Sequence, residues 1–177
     1  MKMNFEITKE DYINFNIYHL ENSKAQKKTF NTHRYIMPLI FSIPLYFIAV
    51  SSLEKSRIYG ITAAIIFSVV WILTYPKRYR KIIAKSVDKN LSEGDNSSIF
   101  GKKSLEIMDE TLVIEGDFIS ETVLIESIKE IKIYKDMILI YISGFVAHII
   151  PRRYLDKEIE KELMKELKKC KALEQLK

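Results

Sequence analysis

Three histidines and one cysteine are the side chains best able to do chemistry, and the chain keeps them apart. His19, His33 and His148 lie in three different segments, and none has a second His, Cys or acid at the spacing of metal ligands. A bound zinc ion needs about four such ligands. The single Cys170 has no disulfide partner, which fits a reducing compartment and predicts an apolar contact on a helix rather than a nucleophile. The sequence therefore predicts no metal site.

Catalytic and cofactor-binding motifs are also missing from the sequence. It contains no G-x-S-x-G, no G-x-x-x-x-G-K-[ST] and no G-x-G-x-x-G, and its five glycines leave little material for a phosphate-binding loop. The 23 acidic residues alternate with lysines in the pattern of a solvated surface. We therefore expect neither an enzyme nor a bound cofactor.

Basic residues cluster at two places. The candidates for contact with anionic lipid are Lys77, Arg78, Arg80, Lys81, Lys85, Arg152 and Arg153. Each basic residue near an anionic leaflet contributes about 1 kcal/mol. The first cluster can equally serve only to set membrane topology, and Arg152-Arg153 can be a plain turn from strand to helix. The net charge of +5 is not gathered on one face with base-stacking aromatics, so nucleic acid is not an expected partner.

Two stretches without a charged residue run from Tyr35 to Leu53 and from Ile58 to Pro76. At 1.5 Å per residue each reaches about 28 Å, close to the thickness of a bilayer core. Only four residues separate them, which predicts a transmembrane helical hairpin. Two other interpretations stay open at this point, namely a pair of buried helices in a soluble protein or, for the first stretch, a cleaved signal peptide.

The charges beside the two stretches predict their orientation. Four basic residues precede the first stretch and five follow the second, whereas the connecting loop has two. Because cytoplasmic loops carry the excess of Lys and Arg, we expect a multi-pass protein of the cell membrane with both termini cytoplasmic. Small residues follow one side of the second stretch and would allow close helix packing. These residues are Gly60, Ala63, Ala64 and Ser68.

Residues 1–34 form an N-terminal arm. Thr8 followed by Asp11 is a helix-capping pattern and predicts an amphipathic helix from about Lys9 to about Arg34. Such a helix either grips anionic lipid or packs on the soluble part of the chain. The alternation of Phe5 and Ile7 predicts an additional edge strand.

Beyond the hairpin (35–76), residues 77–101 predict a basic juxtamembrane helix and a linker, and residues 102–177 a separate domain. Short β-branched runs separated by two- or three-residue turns predict an antiparallel meander. The expected strands are Ser104 to Met108, Thr111 to Glu115, Phe118 to Val123, Ile128 to Tyr134, Met137 to Ile142 and Phe145 to Ile150. A helical stripe then begins near Leu155 and includes Leu163, Leu167 and Cys170. This stripe predicts a terminal helix that caps a bent sheet.

The order of these parts resembles the YcxB-like proteins, a family of small bacterial membrane proteins of uncharacterised function. Three short motifs carry the resemblance: Thr8-Lys9-Glu10-Asp11-Tyr12 before the helix, Leu124-Ile125-Glu126-Ser127-Ile128 within the meander, and Ile150-Pro151-Arg152-Arg153 before the last helix. The C-terminal domain of that family is similar to pleckstrin-homology-like (PH-like) folds. The resemblance implies a PH-like partial barrel, and it supplies no catalytic residues. Ile125 stands where family members often carry Trp.

Together these patterns predict an α+β membrane protein, with an N-terminal helix, a two-span hairpin, an antiparallel meander and a capping helix. We expect a non-enzymatic protein that presents a cytosolic PH-like domain to a protein partner or a lipid headgroup. The alternative is a subunit or regulator of a membrane complex that assembles through its spans. A second copy of the chain is a further candidate partner.

Overall fold

A computed structural model describes residues 1–167 and divides the chain into two compact units. One unit combines residues 1–15 with the described residues from Lys89 onward, and the other comprises residues 16–88. We call them the sheet unit and the hairpin unit. The predicted place of Cys170 on the terminal helix lies outside the described residues.

The first sheet of the sheet unit has four antiparallel strands in the order β1-β2-β3-β4. They are β1 (Lys2–Ile7), β2 (Gly101–Met108), β3 (Thr111–Gly116) and β4 (Ile119–Leu124). Alternate side chains of β1 are buried, as period-two alternation in a half-buried strand requires. β1 pairs with β2 over its whole length, from Lys2 opposite Glu106 to Ile7 opposite Gly101. The predicted N-terminal edge strand is therefore present, and its partner lies beyond both apolar stretches.

The second sheet has three antiparallel strands, β5 (Glu130–Ile133), β6 (Met137–Tyr141) and β7 (Ala147–Pro151). Every residue of the central strand β6 is buried. The predicted antiparallel meander is divided between two sheets, because the 3₁₀ turn Ile125–Ser127 separates β4 from β5. Neither sheet closes into a barrel within the described residues.

The terminal helix, α4, spans Lys157–Leu167 in the described part of the chain. Asp156 caps it, since its Oδ1 accepts hydrogen bonds from the backbone N–H groups of Glu158 and Ile159. Leu163 and Leu167 are fully buried, so the predicted apolar stripe packs into the core of the sheet unit.

Helix α1 (Lys9–Asn22) begins at the predicted capping motif. The Thr8 N–H and hydroxyl both donate to Asp11 Oδ2, and the Asp11 N–H is 3.3 Å from Thr8 Oγ1. The predicted continuation to Arg34 is interrupted at Ser23, which has an extended backbone (φ −66°, ψ 126°). Its hydroxyl accepts from the Gln26 N–H and starts a new helix instead.

Two long helices form the hairpin unit, α2 (Lys24–Ser52) and α3 (Arg57–Ser92). Both are long and apolar enough to cross a membrane. In the most apolar 18-residue stretch of each helix, only 11% (α2) and 6% (α3) is buried within the protein. Helix α2 contains Pro38 and Pro44 and has wider, π-helical turns at Thr32–Ile36 and Ile48–Ser52. Helix α3 continues through Pro76, so the second predicted span and the juxtamembrane helix are one element.

Candidate functional site

A cleft of about 350 Å³ lies between the two sheets and combines apolar, acidic and basic side chains. This volume is within the range of small-ligand sites. Its apolar lining comes from both sheets, α1 and two connecting segments. The apolar residues are Phe5, Ile7, Tyr12, Phe15, Ile99, Ile114, Ile119, Phe145, Val146, Ala147 and Ile149.

Lys103 is the buried cation of this cleft. On β2 it shares the inward face with Leu105 and Ile107, and 8% of its surface is exposed. Its Nζ donates to the Ser98 carbonyl oxygen at 2.8 Å, and none of the described carboxylates lies within ion-pair distance. Burial lowers the pKa of the Lys103 ammonium, although Asp117 opposes this shift.

Gly116 makes room for this lysine. The two residues are opposite each other on β3 and β2. A Cβ at position 116 would lie 3.3 Å from both Cγ and Nζ of Lys103, so a larger residue would press on the lysine. Gly116 therefore helps the ammonium to remain inside the sheet unit.

His148 of β7 and Glu121 of β4 face each other in the same cleft. His148 Nε2 is 3.9 Å from Glu121 Oε1, too far for a hydrogen bond. This nitrogen is buried and has no hydrogen-bond partner among the described groups. Burial lowers the pKa of the His148 ring, Glu121 acts in the opposite direction, and Lys103 lowers it further. The ring is thus favoured in its neutral form.

The predicted pair Arg152-Arg153 occupies a 3₁₀ turn between β7 and α4. Arg152 binds Glu160 through Nη2 at 2.9 Å, and its Nη1 donates to the Tyr134 carbonyl oxygen at 3.0 Å. Arg153 binds Asp11 through both terminal nitrogens. The structure therefore gives both arginines carboxylate partners inside the sheet unit.

The predicted basic residues of the hairpin unit lie on the stretch of α3 around and beyond Pro76. Lys77, Lys81 and Lys85 are exposed. Arg80 forms an ion pair with Glu21, with Nε 2.8 Å from Oε1. Arg78 lies over the ring of Trp71, 5.9 Å from its centroid.

Three of the four predicted small residues face α2 within the hairpin unit. A Cβ at Gly60 would lie 2.9 Å from atoms of Tyr46 and Val50. The Ser42 hydroxyl lies 2.8 Å from the Ser68 hydroxyl and 3.4 Å from the Ala64 carbonyl oxygen. The fourth, Ala63, is half-buried.

No group of three or more His, Cys, Asp and Glu side chains that could hold a metal ion occurs among residues 1–167. Sequence reasoning did not identify Lys103, Gly116 or Glu121 as members of a site. The signal for Lys103 was its position two residues before Leu105 and four before Ile107, which gives it the inward face.

The described residues define an α+β unit of two antiparallel sheets and a terminal helix, interrupted after β1 by a long helical hairpin. Residues 107–167 of it match the family model described as YcxB-like protein. The match confirms the predicted resemblance to that family over β3 to β7 and α4, about a third of the chain. No curated protein and no solved structure gives a significant match.

Proposed function

We propose that the chain is a non-enzymatic binding module anchored in the cell membrane, with the hairpin as anchor and the sheet unit in the cytosol. One observation carries this proposal: β1 and β2 are paired neighbours, yet the whole hairpin lies between them in the chain. Binding of a protein segment or a lipid headgroup by the sheet unit would then occur at the membrane.

The pairing of β1 with β2 restricts the number of crossings. Paired strands must lie on the same side of a membrane, so α2 and α3 either both cross it or both stay out of it. The large apolar side chains that both helices expose favour crossing, because a water-soluble protein rarely exposes so much contiguous apolar surface. Ile58 (77% exposed) and Leu73 (68%) are examples.

The distribution of basic residues supports cytoplasmic termini. Lys24, Lys27, Lys28 and Arg34 precede the first span, and the cluster from Lys77 to Lys85 follows the second. Lys55 and Arg57 are the basic residues of the loop. By the positive-inside rule, the loop lies outside and the sheet unit in the cytosol.

A PH-like fold of the sheet unit is the finer part of the proposal. Its support is the order of elements, two consecutive antiparallel sheets followed by a helix that buries Leu163 and Leu167. Such an open arrangement leaves strand edges for binding.

Strand β4 offers the free edge for a protein partner. The Ile125 N–H donates to the Glu110 carbonyl oxygen, which continues the β3–β4 ladder and sets the alternation of donors along β4. By this alternation the N–H groups of Ser120, Thr122 and Leu124 point away from β3. An extended peptide can therefore add to this edge as a fifth strand.

Assembly through the spanning helices is the other candidate function. It would use the small residues of α3, but Gly60, Ala64 and Ser68 already pack against α2 in the hairpin unit. This packing favours the anchored binding module.

Cysteine labelling in intact cells tests the anchoring. In a Cys170→Ser background, Ser56→Cys probes the loop, and Gly94→Cys probes a site with nothing within 4 Å of an added Cβ. We expect a membrane-impermeant maleimide to label position 56 in intact cells and position 94 only after permeabilisation. Labelling of both positions in intact cells, or of position 94 alone, would overturn the proposed topology.

A further inference from the structure

The cleft between the sheets contains two buried nitrogens that the described residues leave short of partners. Lys103 carries a charge and donates one hydrogen bond to a neutral carbonyl group, although an ammonium has three donors. His148 Nε2 makes no hydrogen bond within the described residues. A buried charge or polar group without a hydrogen-bond or ion-pair partner destabilises the folded state, so buried groups of this kind usually have such partners.

The residues around these two nitrogens indicate which kind of ligand could accept hydrogen bonds from them. Most of the lining is aliphatic or aromatic, and Lys103 contributes its ammonium group to the cleft. Glu121 also lines it, but its side chain is 37% exposed, so water screens this opposing charge. Tyr12 adds a neutral polar group at the same wall. Charge complementarity thus favours a ligand with one anionic end and an apolar body.

We propose that this cleft binds a single-chain amphiphile with a carboxylate headgroup, such as a fatty acid of medium length. The carboxylate would accept hydrogen bonds from Lys103 Nζ and His148 Nε2, and the alkyl chain would lie against the apolar wall formed by residues such as Ile114 and Ile149. This proposal rests on the proposed role of the sheet unit as a binding module and names the class of ligand.

Three probes of equal chain length separate the contributions of charge and apolar surface. The full chain in phosphatidylcholine nanodiscs is dialysed to equilibrium against radiolabelled octanoate, octanol or octylammonium, with empty nanodiscs as the blank. We expect octanoate to be retained above the blank, and the other two probes not. Octanoate at the level of the blank, or octanol retained as well as octanoate, would overturn the proposal.

Neighbouring lysines on β2 provide a matched pair of variants. Lys103→Met removes the buried charge at nearly constant length, whereas Lys102→Met changes an exposed lysine one residue away. We expect Lys103→Met to weaken octanoate binding about tenfold or more, as loss of a charged hydrogen bond does. Lys102→Met should bind like the wild type. Equal octanoate affinity in all three proteins would overturn the proposal.

Thermal unfolding shows whether a variant that no longer binds octanoate is still folded. Because Lys103 is a buried charge without a carboxylate partner, Lys103→Met should unfold at the wild-type temperature or above it. A variant that is folded and still binds octanoate normally contradicts the assignment. Failure of octanoate binding would leave the maleimide labelling pattern unchanged, so the amphiphile site and the anchored topology can be disproved separately.

Discussion

Arg153 and Asp11, 142 positions apart in the chain, form a two-pronged ion pair. Nη1 of the arginine lies 2.6 Å from Oδ1 of the aspartate, and Nη2 lies 2.7 Å from Oδ2. Arg153 Nη2 also donates to the Glu6 carbonyl oxygen at 2.8 Å. The pair therefore joins the segment before the hairpin to the turn that follows β7.

Breaking this pair should destabilise the sheet unit. We expect Asp11→Asn to lower its free energy of unfolding by about 1–3 kcal/mol, because charged hydrogen bonds to a buried carboxylate are lost. The loss of unfolding free energy should lie near the lower end of this range, because the Arg153 side chain is 43% exposed and water weakens its ion pair. Urea unfolding measures the change, and Glu10→Gln at the exposed neighbouring position is the control. Equal losses in the two variants would show that the pair contributes nothing specific.

Acid should remove the same contribution. Burial tends to raise the pKa of Asp11, but hydrogen bonds from Arg153 and Thr8 outweigh it, and the net pKa lies below the ordinary 3.8. A lowered carboxyl pKa stabilises the folded state above the unfolded-state pKa, and this stabilisation is lost as the pH falls through the folded-state pKa. The stability gap between wild type and Asp11→Asn should therefore be constant from pH 7 to about pH 5 and shrink below about pH 4. A gap that keeps its full neutral-pH size down to pH 2 would contradict a difference in pKa between the folded and unfolded states.

His148 should produce a second, separate pH dependence. Its pKa is lowered mainly by burial, with Glu121 and Lys103 as the charged groups that face it. The unfolded chain then binds a proton that the folded chain does not, so stability falls as the pH drops below the ordinary value of 6.5. We expect wild type to lose stability between pH 6.5 and about pH 5 relative to His148→Gln. Parallel stability curves over this range would indicate that the ring titrates normally.

Gly60 should control the packing of the hairpin unit. A leucine there cannot fit against Tyr46 and Val50, because even its Cβ would approach them to 2.9 Å. Ser42→Cys with Ser68→Cys, in the Cys170→Ser background, reports this packing by disulfide formation, since the two hydroxyl oxygens are 2.8 Å apart. Gly60→Leu should lower the disulfide yield, and Thr62→Leu at an exposed position should not. An unchanged yield in Gly60→Leu would show that α2 and α3 pack differently.

Partner binding at β4 should depend on its outward N–H groups. Thr122→Pro removes one of them without removing a bond to β3, whereas Thr122→Ala keeps it. A photo-crosslinker at Ser120 should capture a partner in cells with Thr122→Ala and lose it with Thr122→Pro. Identical crosslinked bands in both variants would rule out strand addition at this edge, provided that both variants accumulate equally.

Local structure was largely predictable from the sequence. The strand predicted at Thr111 to Glu115 is observed at Thr111–Gly116, because inward and outward residues alternate clearly there. The division into two sheets was not predictable, since alternation fixes which face of a strand is buried but not which strand lies beside it. The sequence also provided no sign that the second apolar stretch and the juxtamembrane helix form one element, because a proline, Pro76, lies at their junction and α3 continues through it.

The cleft could not be predicted from the sequence, because its charged and polar residues look like solvent-exposed ones. Lys103, Glu121 and His148 come from three strands, and each resembles a solvated residue within its own segment. Their proximity depends on the packing of the two sheets, which no local pattern encodes. The alternation of inward and outward residues along β2 could have identified Lys103, because it lies on the same face as Leu105 and Ile107, which are fully or nearly fully buried.

The position of the hairpin between β1 and β2 also has a consequence for synthesis. β1 leaves the ribosome first, and its partner follows only after the whole hairpin, an interval on the order of 5–20 s at typical elongation rates. During this time β1 has no neighbour, and if the hairpin fails to return the chain to the same compartment, β2 keeps an open edge. Open strand edges invite aggregation and degradation. If the hairpin crosses the membrane as proposed, completion of the first sheet would act as a checkpoint on membrane insertion, because a chain inserted with the wrong topology could not pair β1 with β2.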